Sequence, residues 1–369
     1  METGMTPDFS NIVRQFEFEG DFVLAGPYGS GHINDTYAAI FRMNSKNRRY
    51  ILQRINHHVF RNPEGLMNNI ETVTDHLRQK ILAADGDPQR ETLTLIPTHE
   101  GECYKRTESG EYWRAYIFIE NARTYERVES LDHVYNAAWA FGNFQNLLSD
   151  LPVSLLTDTI PGFHNTKKRF EAFLQVVDAD DHNLAQTSKS EIEFVMSKKE
   201  QTSILVDLIE QGELPERITH NDTKLNNVMI DDDTGAGICV IDLDTVMPGL
   251  SLYDFGDSIR SFANPASEDD RDLSNVQLDI NVFDRYTQGY MEAVRDTLTP
   301  SEIEYLPLSA MLMTLECGIR FLADHLQGDT YFKIQRENHN LDRCRTQFKL
   351  AQSMEEHFDE MVNIVEKYH

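Results

Sequence analysis

Hydrophobic and polar positions change rhythm about a third of the way along the chain. Apolar residues come first in short runs, over 22–24, 36–41 and 50–55, a pattern that predicts strands. The polar stretch 44–49 between the last two runs marks a turn, so 36–55 reads as an antiparallel hairpin. Met67, Ile70, Val73, Leu77 and Ile81 then recur at helical spacing and predict one amphipathic helix. Residues 113–120 read as a buried strand that runs into a polar loop, and the boundary between two parts of the chain is set there, 1–120 and 121–369. Beyond it the period is helical. Ser130 can cap a helix over 131–148 that carries Val134, Ala138, Phe141, Phe144 and Leu148 on one side. One or two helices follow over 166–208, interrupted by the polar stretch 178–189, and others over 283–296, 301–326 closing at Gly328, and 340 to the end. The segment 214–257 breaks this pattern and reads as short strands and loops. A β-rich first part and a mainly helical second part make the fold class α+β.

Composition changes this picture little. Hydrophobic residues at 40% suit a chain that buries a core, and no run approaches the roughly 18 consecutive apolar residues that a membrane helix needs, so a soluble protein without a membrane partner is expected. The formal charge of -27 argues against nucleic acid as a partner, because phosphate backbones are bound by clustered Lys and Arg. The first 24 residues show neither a secretory nor a transit pattern, which makes the cytoplasm the default compartment. Cys103, Cys239, Cys317 and Cys344 are scattered without metal-ligand spacing and read as buried thiols.

Candidate chemistry sits in the segment that breaks the helical rhythm. His220-Asn221-Asp222 is followed by Asn227 five positions after the Asp, then by a turn at 231–235 and an apolar run ending in Asp242. Taken singly, each has an ordinary explanation: loop Asn and Asp residues make side-chain turns, and strands often end in acidic residues. Together they match the needs of phosphoryl transfer, with Asp222 to aim an acceptor hydroxyl and take its proton, and Asn227 and Asp242 as oxygen ligands for magnesium. His220 reads as a residue that braces the loop. Gly29 and Gly31 lie in a turn that could cover phosphates or could be a plain β-turn. Gln53 stands where a kinase-like strand would carry lysine, Arg54 points to the opposite face, and Glu71 reads as a solvated helix charge.

These segments resemble a known family. Tyr28-Gly29-Ser30-Gly31-His32-Ile33-Asn34, the loop 219–227, the block 241–249, Asp254-Phe255-Gly256-Asp257-Ser258-Ile259-Arg260 and the block 316–324 are similar to the N-acetylhexosamine 1-kinases. Those belong to the aminoglycoside phosphotransferase and choline kinase branch of the protein-kinase-like fold. The resemblance implies a two-lobed protein with a small β-rich N-lobe and a mainly helical C-lobe. It also implies ATP and Mg2+ as cofactors, and a sugar as substrate, phosphorylated at the anomeric hydroxyl of N-acetylglucosamine or N-acetylgalactosamine. It makes Asp222 the catalytic base, Asn227 and Asp242 the metal ligands, and Gly29, Ser30, Gly31 and Gln53 the nucleotide contacts. His32, Asn34, Arg320 and Tyr331 match positions that face the sugar. For Arg320, spacing alone favours an ion pair with Glu316 or Asp324, one helical turn away on either side. Two other readings stay open: a kinase of the same fold acting on choline, homoserine or an aminoglycoside, and a catalytically inactive nucleotide-binding module.

Overall fold

The computed structural model of the chain describes residues 7–29, 31 and 33–369. Two of the expected site residues, Ser30 and His32, lie outside the described residues.

A short helix α1 (Phe9–Val13) leads into strands β1 (Asp21–Pro27), β2 (Asp35–Met43) and β3 (Lys46–Ile55). Asn44 and Ser45 both take positive φ in the β2–β3 turn, the geometry a two-residue hairpin needs. Helix α2 (Pro63–Ala83) starts where Asn62 accepts from the Gly65 N–H and Pro63 fills the first turn. A single-turn helix α3 (Pro88–Glu91) and strands β4 (Lys105–Arg106) and β5 (Tyr112–Ile117) complete this lobe. All sheet pairs are antiparallel, in the order β1-β2-β3-β5-β4. Strand alternation divides the side chains between two cores. Ala39, Phe41, Tyr50, Leu52, Trp113 and Ala115 pack together with α1 on one face, while Ile55, Tyr112 and Tyr116 join the larger core with α2.

After Asn121, at positive φ, β6 (Ala122–Arg123) pairs with the hairpin of the helical lobe rather than with the first sheet. Helix α4 (Leu131–Leu147) is capped by Ser130, whose Oγ accepts from the His133 N–H at 3.2 Å. Three helices follow, α5 (Thr166–Ala179), α6 (Lys189–Ser197) and α7 (Ile204–Glu210), one more than the periodicity suggests. The short strands β7 (Arg217–Thr219), β8 (Val228–Asp231), β9 (Gly237–Val240) and β10 (Met247–Gly249) hold the loops of the motif: β8 pairs with β9, and β7 with β10.

Helix α8 (Ser251–Phe262) begins inside the segment 214–257 that the sequence assigns to short strands and loops. Its apolar stripe, Leu252, Phe255, Ile259 and Phe262, lies in the core, and its polar face, with Asp254, Asp257 and Ser258, is buried as well because it meets protein instead of solvent. Helix α9 (Ile280–Val294) packs against α4. The helix expected over 301–326 is two: α10 (Pro300–Glu304), opened by a Thr299–Glu302 capping box, and α11 (Leu306–Leu326). Pro307 explains the break, because it has no N–H to continue the ladder and its ring would meet the carbonyl of residue 303. The terminal helix divides likewise into α12 (His339–Glu356) and α13 (Phe358–Tyr368).

Helix α11 also corrects the expectation about apolar runs. By length and composition it could cross a membrane, but 78% of its most apolar window is buried inside the protein. It packs against α5, α8 and α12 and closes at Gly328, whose φ is +81°. The fold is the expected two-lobed, kinase-like one.

Candidate active site

The loop from His220 to Asn227 crosses the top of the β7 and β8 strands, and its backbone is held from below by α8. The buried Asp254 carboxylate accepts the N–H of His220 at 2.9 Å and of Asn221 at 2.7 Å, and the Gln145 amide at 2.6 Å. Asp257 accepts the Thr223 N–H at 3.0 Å, and the Ser258 hydroxyl donates to the Thr223 carbonyl at 3.0 Å. Buried backbone donors demand partners, so the acidic residues of α8 are the complement of this loop. Their burial on the polar face of α8 follows from that need.

His220 is fully buried, and its ring braces the loop. Nε2 lies 2.8 Å from the Ile241 carbonyl, which can only accept, and the Asp222 N–H donates to Nδ1 at 3.2 Å. Both contacts are satisfied by one neutral tautomer, protonated at Nε2. The ring thereby joins the Asp222 loop to the strand end that precedes Asp242.

Asp222 itself faces the cleft. Lys224 Nζ lies 2.7 Å from one carboxylate oxygen, and the Asn227 amide donates to the Asp222 carbonyl at 2.8 Å and approaches its other carboxylate oxygen at 3.4 Å. Burial would raise the carboxyl's pKa, but the charges of Lys224, then Arg260, hold it below the usual carboxylate range. The group is therefore ionised at neutral pH, suited to orienting a hydroxyl and accepting its proton only as the hydroxyl becomes acidic in the transition state.

Asn227 and Asp242 lie at the same end of the β8–β9 hairpin, joined by the Ile241 N–H to the Asn227 carbonyl at 2.9 Å. The amide nitrogen of Asn227 is engaged with Asp222, which leaves its oxygen as the free ligand atom. Asp242 sits at positive φ (59°) with its carboxylate open to solvent at the floor of the cleft, and it makes no hydrogen bond or ion pair among the described residues. Surrounding protein atoms, then Asp244 and Asp222, push its pKa up to about 6. One neutral and one anionic oxygen donor beside a local excess of negative charge fit a magnesium ion that completes its shell with phosphate and water. Among the described residues no cluster of three His, Cys, Asp or Glu occurs that could hold a metal ion.

The other predicted residues divide between two places. Gln53 and Asn34, both half-buried, bond to the buried Arg114 and Asp244. Gln53 accepts from Arg114 Nε at 2.9 Å and donates to Thr36 at 2.9 Å, and Asn34 donates to Asp244 at 2.5 Å. Gly29 and Gly31 lie in the β1–β2 connection, Gly29 at φ +77°. Glu71 is exposed on α2; two residues earlier the buried Asn69 donates to the Thr157 and Val246 carbonyls at 2.7 and 2.9 Å.

Arg320 and Tyr331 lie on the other side of the catalytic loop. The ion pair that spacing favours for Arg320 is not formed. Glu316 is taken by His164 at 3.1 Å and Arg169 at 3.2 Å, and Asp324 accepts the backbone N–H groups of Thr330, Tyr331 and Phe332 at 2.7–2.9 Å. The Arg320 guanidinium instead lies over the rings of Phe163 and Phe332, 5.2 and 5.5 Å from their centroids, without an ion pair among the described residues. The Arg169 guanidinium lies over the same Phe163 ring, 5.7 Å from its centroid, so the two cations share one aromatic neighbour; burial, then Arg320, pushes the pKa of Arg169 down. His164 connects this group to the reaction loop, since its Nε2 lies 3.2 Å from the Asn221 carbonyl. Tyr331 stands 63% exposed at the rim.

The sequence alone assigns no role to Arg114, His164, Arg169, Asp244, Asp254 or Asp257, and to Glu316 only the pair with Arg320 that is not formed. Asp254, Asp257 and Glu316 stood in recognisable blocks; Arg114, His164 and Arg169 gave no local signal, because their partners are far away in the chain.

Comparison with known proteins fits this geometry. Residues 25–291 match the model of the phosphotransferase enzyme family. The chain belongs to that family. Among solved structures, an aminoglycoside phosphotransferase from Alicyclobacillus acidocaldarius subsp. acidocaldarius DSM 446 has a TM-score of 0.62 at 13% identity, over 100% of this chain and 98% of that one. A Plasmodium vivax ethanolamine kinase gives 0.55 at 14% identity, over 88% and 82%. The GDP complex of wild-type aminoglycoside 2'-phosphotransferase-IIIa gives 0.52 at 10% identity, over 95% and 93%. At such identities the likeness is one of fold.

Proposed function

We propose that this phosphotransferase is an ATP-dependent N-acetylhexosamine 1-kinase. The observation that carries the reading is the Arg320 guanidinium, laid between two aromatic rings beside Arg169 and free of any ion pair among the described residues. Such a planar donor set suits the hydroxyl and carbonyl oxygens of a sugar, with Tyr331 at the rim. It disfavours the ammonium groups of choline or an aminoglycoside, which would meet two guanidiniums. Resemblance supplies the rest: a hexosamine with its anomeric hydroxyl toward Asp222.

In this reading Lys224 holds one oxygen of Asp222, and the other accepts the hydroxyl proton. His220, Asp254 and Asp257 fix the loop so that this oxygen is already aimed, which is where positioned groups lower a barrier. Asn227 and Asp242 would hold Mg2+, which neutralises charge on the transferred phosphoryl group. The glycine turn after β1 would cover the nucleotide phosphates.

A coupled ATP-consumption assay over free hexosamines, hexoses, choline, homoserine and an aminoglycoside tests the assignment. Turnover should be highest with the N-acetylhexosamines and should vanish in Asp222→Asn with nucleotide binding retained. Preferred turnover of an amine, or full activity in Asp222→Asn, overturns it.

A further inference from the structure

A kinase-like small lobe places a strand lysine against the nucleotide phosphates and pairs it with a helix glutamate. Here both positions have lost that role: the strand residue is Gln53, and Glu71 is exposed. A cation is present all the same, one strand away. Gln53 and Arg114 are directly opposite in the β3–β5 register, so their side chains leave the same face of the sheet, and Arg114 Nε donates to Gln53 at 2.9 Å. The Arg114 side chain is 1% exposed and pairs at 2.5 Å with Asp244, itself 4% exposed. Asp244 belongs to the helical lobe, two residues after Asp242. Its second oxygen accepts the Asn34 amide at 2.5 Å, and Asn34 in turn accepts the Asn56 N–H at 2.9 Å.

The chain of contacts thus runs from the sheet to the segment of the proposed metal ligand and on to the connection that covers the phosphates. A buried carboxylate needs all its partners, so Asp244 can hold this position only while both Arg114 and Asn34 reach it. The dependence is mutual. Release of Arg114 would free Asp244, and with it the anchor of the β1–β2 connection.

We propose that Arg114 is a positioning residue that couples the nucleotide-covering connection to the metal-binding segment through Asp244 and Asn34, in place of the strand lysine and helix glutamate. Arg114 touches no substrate; it acts through Asp244. The inference rests on the nucleotide reading above, and its test separates the two.

Hydrogen–deuterium exchange over residues 33–37 of the nucleotide-free protein and calorimetric titration with Mg2+ and ADP are compared in wild type, Arg114→Met, Arg114→Lys and Asn34→Ala. Arg114→Met should exchange faster over 33–37 and bind Mg-ADP about tenfold more weakly, a common size for coupling between sites. Arg114→Lys keeps a cation against Asp244 and should recover most of both effects. A folded Arg114→Met protein with wild-type exchange and wild-type Mg-ADP affinity overturns the proposal. If Arg114→Met does not fold, Asn34→Ala decides: faster exchange with weaker binding supports the coupling, and wild-type behaviour in both overturns it. Wild-type protein that binds no Mg-ADP, while the exchange differences appear as stated, defeats the nucleotide reading and leaves the coupling standing.

Discussion

Gly256 offers the most direct test of how the reaction loop is held. It lies in the middle of α8, where alanine would ordinarily favour the helix by about 1 kcal/mol. Here an added Cβ would sit 2.4 Å from the Ser309 carbonyl oxygen and 2.7 Å from Met313 Cγ on α11. Ordinary contact begins at 3.4 Å, so one helix must retreat by about 1 Å (3.4 − 2.4). The nearest obstacle is backbone and cannot rotate away, which puts the cost of overpacking near the upper end of its usual range, about 3 kcal/mol. The net effect of Gly256→Ala is then a loss of about 2 kcal/mol, opposite in sign to the helix preference. The same retreat carries Asp254, Asp257 and Ser258 away from the loop they bond, and a misplacement of about 1 Å can cost up to roughly a hundredfold in rate. Guanidinium denaturation should show the lost stability, and kcat with the best acceptor should fall by about ten- to a hundredfold. A variant as stable as wild type with unchanged kcat would refute both the contact and its catalytic consequence.

Other outcomes follow from the site. Asp242, pushed up from the usual carboxylate range to about 6 by the protein atoms crowded around it and by the Asp244 and Asp222 carboxylates, holds its proton better folded than unfolded. Metal-free protein should therefore lose stability as pH rises through that window, and stabilisation by Mg-ADP should be small at pH 5 and full at pH 7.5 in thermal shift assays. A larger Mg-ADP effect at pH 5 contradicts this. Arg320→Gln should raise the KM for sugar about tenfold or more while leaving Mg-ADP affinity unchanged, because a hydrogen-bond donor to the acceptor is removed; an unchanged KM argues against the acceptor site. Glu302, buried and bonded to Arg217 at 2.6 Å, to Ser251 at 2.7 Å and to the Thr299 N–H at 2.8 Å, ties β7 to α8 and α10. Glu302→Ala strands the Arg217 charge and should cost about 3–5 kcal/mol in chemical denaturation; a loss under about 1 kcal/mol would show that the pair contributes little.

The sequence was most legible where one local rule governed a segment. The β2–β3 hairpin follows alternation, α4 follows its Ser130 cap and apolar stripe, and α11 ends at the Gly328 that its closing turn requires. It was least legible where residues answer to distant partners. Helix α8 escaped because Asp254 and Asp257 are placed for the backbone of residues 220–223 and not for their own helix. Arg320 misled for the reverse reason: two carboxylates at helical spacing were available, but His164, Arg169 and the N–H groups of 330–332 had already engaged them. The reaction loop could be read because its spacing is short. The network of Arg114, Asp244 and Asn34 could not, since it joins residues 34, 114 and 244 across three separate elements.

The grip of α8 on the reaction loop and the station of Glu316, Arg320 and Asp324 on α11 have an evolutionary consequence. The groups proposed to meet the acceptor hang from one helix and the short loop that Asp324 holds, whereas the bonds that fix Asp222 come from another. Substitutions at the half-buried positions of α11, Cys317, Arg320 and Ala323, can therefore change which molecule is received without disturbing how phosphate is transferred. Gly256 marks the limit of that freedom, since the two helices touch there with no side chain between them.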